Sequence, residues 1–477
     1  MVVTANYDNG SSKTVTDYTV NSDAYKANRA GKYNISVSYE EDGVSVKKGY
    51  FVTVTESATA VALELEGQKT EFAYGEDYYF SGTVSQKYAD GRLVAVETGY
   101  EVDSSAYNGT VVGAYEIKVS YAGLEAYYTV NVMQSMVAKS ISVSGQKTAF
   151  SFSEDFVFDG TISVEYEDGR TEETTANYTV DDSDYDGFTA GDHTIKLLIG
   201  GMEYSYVVSV DRATRIKLLM IGNSFSQDTV TWMADIAKSA GYTDILIGNL
   251  VIGGCDIEKH YGNALDNSRV YTFDYYENGA WKQKNSQSMK DGIVYADWDF
   301  ISLQQVSGKS GLKVTYNSSL TNWATYVLET ATNDNVKLLW NMTWAYQTGS
   351  THADFSSYSK DQMKMYNMIV DAVTSKIVTN EQFAAVSPAG TAIQNARTSY
   401  IGDDWTRDGY HLSETRGRFV SGLTMFCLIT GASPYDVSFR PTVSGEKMTE
   451  KELQVAQESV ANALANKFTV TNSQITT

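Results

Sequence analysis

At 477 residues the chain is too long for one hydrophobic core, so several domains are expected. Its formal charge of −22 argues against nucleic acid or an anionic membrane as partner, and no apolar run reaches the ~18 residues of a membrane span. Its two cysteines, Cys255 and Cys427, lie far apart in no ligand spacing, so free thiols are expected and no metal or other cofactor.

The acidity is concentrated in the first 211 residues, which hold 33 acidic and 14 basic side chains, against 26 and 23 in the remainder. This stretch is an internal repeat. Tyr7-Asp-Asn-Gly10, Tyr88-Ala-Asp-Gly91 and Tyr166-Glu-Asp-Gly169 recur at steps of 81 and 78 residues, and Tyr18, Tyr100 and Tyr178 keep pace. Apolar and polar residues alternate between the markers, as in Tyr33-Asn-Ile-Ser-Val-Ser-Tyr39 and Tyr115-Glu-Ile-Lys-Val-Ser-Tyr121. Such alternation, with Asn-Gly or Asp-Gly between runs, predicts hairpins of half-buried antiparallel strands. Built into units of about 75–80 residues, these make small β-sandwiches. The expected units are 1–56, 57–134 and 135–211, and they resemble the bacterial Ig-like domains of group 3. Repeats two and three open on matching strands, Ala62-Leu-Glu-Leu-Glu-Gly-Gln-Lys-Thr70 and Ser140-Ile-Ser-Val-Ser-Gly-Gln-Lys-Thr148, which repeat one lacks. The chain is therefore expected to be a fragment of a longer protein or one whose first strands were trimmed; were this the native start, the first unit would lack an edge strand and be the least stable. The repeats read as a spacer; their tyrosines, part of 35 in the chain, would also suit a glycan- or protein-binding module.

Asp211 to Arg215 is the hinge into a segment of different pattern, residues 212–477. The apolar run Ile216 to Ile221 ends in Gly222-Asn223-Ser224, and a helix expected from Gln227 to Ala240 carries Trp232, Met233, Ile236 and Ala237 on one face. Strand, tight turn and helix put Ser224 at the carboxyl end of a sheet strand, beside helix-start amides that can hold an oxyanion. A second strand, Asp244 to Leu250, leads to Ile252-Gly253-Gly254-Cys255. Residues 262–297, with Tyr271, Phe273, Tyr275, Tyr276 and Trp281, form either a pocket-shaping insertion on the ligand-facing rim or a surface hairpin. Strands near 299–304, 336–341 and 382–387 alternate with helices near 317–332 and 360–378, completing an α/β/α sandwich with a five-stranded parallel sheet. A loop from Gly390 to Asp404 carries the chain to Asp408-Gly409-Tyr410-His411, ahead of helical segments at 418–430 and 450–464.

A nucleophilic serine needs a base, and the base needs an orienting acceptor. Of four histidines, at 193, 260, 352 and 411, only His411 has a carboxylate three residues before it in a loop, where Asp408 can reach the far imidazole nitrogen. Gly222-Asn223-Ser224 near the start of an α/β domain and Asp408-x-x-His411 near its end resemble the SGNH (GDSL-like) hydrolase superfamily, whose fold is flavodoxin-like. The usual motif has Asp where this chain has Asn223. Ile252-Gly253-Gly254-Cys255, Ile301-Ser302-Leu303-Gln304-Gln305, Trp340-Asn341-Met342-Thr343-Trp344 and Gly390-Thr391-Ala392-Ile393-Gln394-Asn395-Ala396 resemble a little-characterised SGNH-like family of secreted bacterial proteins. The resemblance spans roughly residues 212 to 442 and implies Ser224 as nucleophile, His411 as base and Asp408 as its partner. It also implies Gly254 as an oxyanion donor through its N–H. Where the superfamily has Gly-x-Asn, this chain has Val306-Ser307-Gly308; the glutamine amide of related carbohydrate esterases points to Gln305, with Gln304 competing. Trp340, Asn341 and Trp344 are expected on the same rim, to stack on or hydrogen-bond a sugar.

The expected function is a serine esterase without metal or cofactor that removes O-acetyl or similar acyl groups from a carbohydrate ester, such as a cell-wall or host glycan. The expected location is extracellular or at the bacterial cell surface. An acyltransferase with the same triad, and a non-catalytic glycan-binding or adhesion protein, are the alternatives.

Overall fold

Alternation along the repeats produces antiparallel strand pairs. In the computed structural model, which describes residues 1–475, the chain falls into two compact units: residues 1–144 with 161–177, and residues 145–160 with 178 onward. Among the described residues no helix is long and apolar enough to cross a membrane.

The first unit is all β. Its second repeat has two sheets, one of Ala60–Glu66, Thr83–Tyr88 and Leu93–Ala95, the other of Glu101–Asp103, Gly113–Tyr121, Leu124–Val132 and Glu71–Phe72. Leu63 and Val84 of the one pack with Val119 of the other, because alternation turns every second side chain inward. The first repeat has two and three strands in the corresponding sheets, and among the described residues its buried apolar side chains are Val15, Ile35, Val37 and Tyr39. Ala138–Ser144, Thr161–Tyr166 and Thr171–Thr174 of the third repeat form a three-stranded sheet in this unit.

The rest of the third repeat belongs to the second unit. Its strands Tyr178–Asp181, Gly191–Ile199, Met202–Val210 and Ala149–Phe150 enclose Phe150, Ile195, Val208 and Val210. Phe152 and Phe188 also pack against the core of the α/β domain, and Lys337 Nζ lies 2.7 Å from Asp155. Residue 211 is therefore not a boundary between compact units, although the sequence pattern changes there: apolar packing continues across it.

The α/β domain is built on a seven-stranded sheet rather than a five-stranded one. The order is Ala280–Gln287, Tyr271–Glu277, Ile245–Val251, Ile216–Gly222, Phe300–Leu303, Lys337–Asn341 and Ala385–Ser387. The last five run parallel; the first two are an antiparallel hairpin added at the edge. Residues 262–297 thus contain a sheet-extending hairpin. The helix expected over 227–240 is two helices, Ser224–Val230 and Met233–Ser239. The loop expected from Gly390 instead begins as a helix, Ala389–Arg397, with all nine residues buried. Gly390 and Thr391 are weak helix formers, so burial rather than propensity sets this helix.

His260, on helix Ile257–Leu265, is fully buried, stacked on Trp323 at 4.7 Å and hydrogen-bonded to the Tyr271 hydroxyl at 2.9 Å. Burial pushes its pKa down to about 3. An unfolded histidine takes up its proton below about pH 6.5, so this contribution to stability is complete above that pH and is lost as pH falls towards 3. Over the whole interval the loss is about 4–5 kcal/mol. Urea midpoints at about pH 7 and about pH 4.5 should show the advantage of wild type over His260→Phe shrinking at the lower pH. Parallel losses in the two proteins would assign the effect to other groups.

Candidate active site

Strand Ile216–Gly222 is buried almost throughout and delivers the chain to a turn with no room for a larger residue. A Cβ on Gly222 would lie 2.8 Å from Ser226 Oγ and 2.9 Å from Gln304 Cδ. Asn223 follows with extended backbone and caps helix Ser224–Val230, its Oδ1 accepting the Phe225 N–H at 3.0 Å. Ser224 is the first helical residue, so its hydroxyl stands beside amides that have no partner within the helix.

The serine and histidine, 187 positions apart, are joined by hydrogen bonds. Ser224 Oγ is 2.9 Å from His411 Nε2, and His411 Nδ1 is 2.6 Å from Asp408 Oδ2. Asp408 Oδ1 accepts the backbone N–H groups of His411 at 2.8 Å and Tyr410 at 3.2 Å. Partial burial opposes ionisation of Asp408, but the imidazole and these two amides hold its pKa below the usual carboxylate value. It is thus an anion able to fix the imidazole tautomer and steady an imidazolium. Cys255 is no competing nucleophile, since burial pushes its thiol up to about 12.

What fixes the His411 loop against the serine helix escaped the sequence reading. Asp228, one turn after Ser224, is 1% exposed. It accepts the Leu412 N–H at 2.9 Å, Arg407 Nη1 at 3.0 Å and Arg418 Nε at 2.8 Å. One buried carboxylate therefore ties the Ser224 helix to both sides of the Asp408–His411 segment. The available signal was an acid four residues after the serine together with arginines flanking the histidine motif.

Several expected substrate contacts turn out to be supports. Trp344 is buried and stacked on Phe225 at 4.3 Å, and its Nε1 donates to Tyr410 O at 2.8 Å, so it braces the histidine loop and is not a sugar platform. Trp340 is buried against Tyr316 and Phe383. Gln304 and Asn341 are buried beneath the turn: Asn341 Nδ2 donates to Gln304 Oε1 at 3.1 Å, and Gln304 Nε2 to Asn223 Oδ1 at 2.9 Å. Gln305 is not an oxyanion donor. Its Oε1 accepts the N–H groups of Ile257 and Val306, and its Nε2 donates to Thr315 Oγ1 at 3.1 Å. Adjacent residues leaving a strand face opposite ways, and each amide is engaged within the protein. Gly254 lies in the turn after strand Ile245–Val251 with φ +62°, and a Cβ there would meet nothing within 4 Å. Its N–H has no acceptor among the described residues.

Asn223 also holds the neighbouring turn in place. Its Nδ2 donates to Cys255 O at 3.2 Å, tying the Gly254 turn to the cap of the Ser224 helix. A carboxylate would set an anionic oxygen against that carbonyl in a buried site. Asn223→Asp is therefore expected to cost about 2 kcal/mol of stability and to lower kcat about tenfold or more. Thermal melting and ester turnover of the purified variant check this; unchanged values would show that the tie carries no weight.

Comparison with known proteins extends these observations. The family model described as "Domain of unknown function (DUF4886)" matches residues 217–463. Among solved structures, the chain is similar to a DUF4886 family protein from Bacteroides uniformis, at 36% identity and TM-score 0.51 over 54% of this chain and 98% of that one. A candidate SGNH hydrolase from Slackia heliotrinireducens is similar at 18% identity and TM-score 0.27, over 44% of this chain and 97% of that one. A catalytic mutant of an acetylxylan esterase from Geobacillus stearothermophilus is similar at 9% identity and TM-score 0.30, over 46% and 96%. A curated relative, pectate lyase L of Thermoclostridium stercorarium, is 26% identical over 182 residues, 38% of this chain; the match spans 14% of that protein.

Proposed function

Because the chain belongs to the DUF4886 family, whose description assigns no activity, we propose from the site geometry that it is a serine esterase of SGNH type. The observation that carries this reading is the unbroken sequence Asp408, His411, Ser224, at 2.6 and 2.9 Å, with the serine at a helix N-terminus. In this mechanism His411 Nε2 takes the proton of Ser224 as Oγ attacks an ester carbonyl, and Asp408 stabilises the imidazolium. The N–H groups of Ser224 and Gly254 receive the oxyanion. Its collapse expels the alcohol, which takes the proton back from His411, and leaves an acyl-enzyme. Water, deprotonated by the same imidazole, then releases the acid. The substrate class proposed is O-acetylated carbohydrate, and the working location is outside the bacterial cell or on its surface. The hydrogen-bond distance between Ser224 and His411 favours catalysis over a binding role with a disengaged triad.

The test is covalent. A fluorophosphonate should add once to the wild-type protein, on the peptide carrying Ser224, and the adduct should form far more slowly in His411→Ala. Labelling elsewhere, or none, would overturn the assignment.

A further inference from the structure

The edge hairpin lies beside the nucleophile helix and leaves a groove of about 500 Å³. Its floor is formed by Asp274, Trp281 and Gln283, and its wall by Gln227, Val230 and Thr231. Ser224, Gln227 and Thr231 follow a spacing of three and then four, which puts them on one stripe of the helix. The helix side of the groove therefore covers about one turn, or about 6 Å, from Gln227 to Thr231, and Ser224 lies one turn further on along the same stripe.

The lining has the chemistry of a sugar-binding surface. Trp281 is 39% exposed, and its ring meets Tyr276, its cross-strand partner, edge-on at 5.7 Å, which fixes the indole plane. Asp274 and Gln283, the next cross-strand pair but one, are joined by a 2.7 Å hydrogen bond from Gln283 Nε2 to Asp274 Oδ1, leaving Asp274 Oδ2 as an acceptor. Lys282 also borders the groove, but its ammonium is engaged by Glu277 at 3.2 Å. A polyanion would find no free cation among these residues. A neutral sugar ring would lay its C–H face on the indole and direct its hydroxyls to the carboxylate and the amides of Gln227 and Gln283.

We propose that this groove binds a neutral oligosaccharide, with Trp281 stacking on one ring and the chain directed towards Ser224. The direction towards Ser224 rests on the esterase reading, whereas the binding itself does not. The test is titration of the full chain with xylohexaose, cellohexaose, mannohexaose and chitohexaose, followed by tryptophan fluorescence and calorimetry. At least one should bind, with about a tenfold or greater loss in Trp281→Ala and retention of most affinity in Trp281→Tyr. An unchanged melting curve for both variants ties the loss to the ring rather than to unfolding. Binding of none of the four, or binding unaltered in Trp281→Ala, overturns the proposal. Trp281-dependent binding without fluorophosphonate labelling would leave the groove standing and remove the esterase reading; labelling without binding would do the reverse.

Discussion

Alanine at Ser224 is expected to lower kcat on an aryl acetate by about four to six orders of magnitude while leaving KM within about twofold. The reason is geometric. Ser224 Oγ faces His411 Nε2 at 2.9 Å, and its replacement removes the atom that forms the acyl bond in the proposed mechanism while the cap at Asn223 and the Asp408 pair remain in place. The loss should be of chemistry and not of fold, so the melting curve should match wild type. His411→Ala should be nearly as damaging, and the double variant little worse than either, because members of a triad act as one device. Initial rates at equal protein concentration measure this. Turnover that survives in Ser224→Ala would remove Ser224 from the reaction whatever the spacing.

The second large effect is expected at Asp228. Its carboxylate is 1% exposed and receives one backbone amide and two guanidinium groups. Asp228→Ala leaves Arg407 and Arg418 without their counter-charge and the Leu412 N–H without an acceptor, at a cost of about 3 kcal/mol. Both arginines keep some access to water, which limits the cost below that of a fully enclosed pair. Activity should fall further than stability explains: at a temperature where the variant is fully folded, kcat should drop about a hundredfold through displacement of the His411 loop. Asp228→Asn should recover part of the stability, since one amide oxygen can still accept from Leu412. A folded Asp228→Ala protein with wild-type kcat would show that the histidine loop needs no such anchor.

The two predictions differ in how far the sequence foresaw them. Ser224 was legible because a buried strand, a tight turn and a helix cap are local events, written in consecutive residues. Asp408 and His411 were legible for the same reason, three residues apart on one loop. Asp228 was not, because its partners lie about 180 residues away and only the packing of helix Arg416–Thr430 against the serine helix brings them near. The amides misled for a related reason. Glutamine and asparagine near a strand end read as ligands, but here Gln304, Gln305 and Asn341 satisfy buried donors and acceptors of the turn and its neighbours. Trp340 and Trp344 were expected on the rim, and both are in the interior.

By itself the sequence determined the β repeats, the alternating α/β order, the turn that presents Ser224 and the pairing of Asp408 with His411. Each of these depends on residue spacing within a few positions, where backbone geometry leaves little choice. Tertiary structure decided that Ser224 meets His411, that Asp228 binds their elements together and that an edge hairpin widens the sheet to seven strands. It also decided that Phe152 and Phe188 join half of the third repeat to the α/β core. These are choices among distant partners, set by which apolar faces and unmet hydrogen-bonding groups remain once local structure has formed.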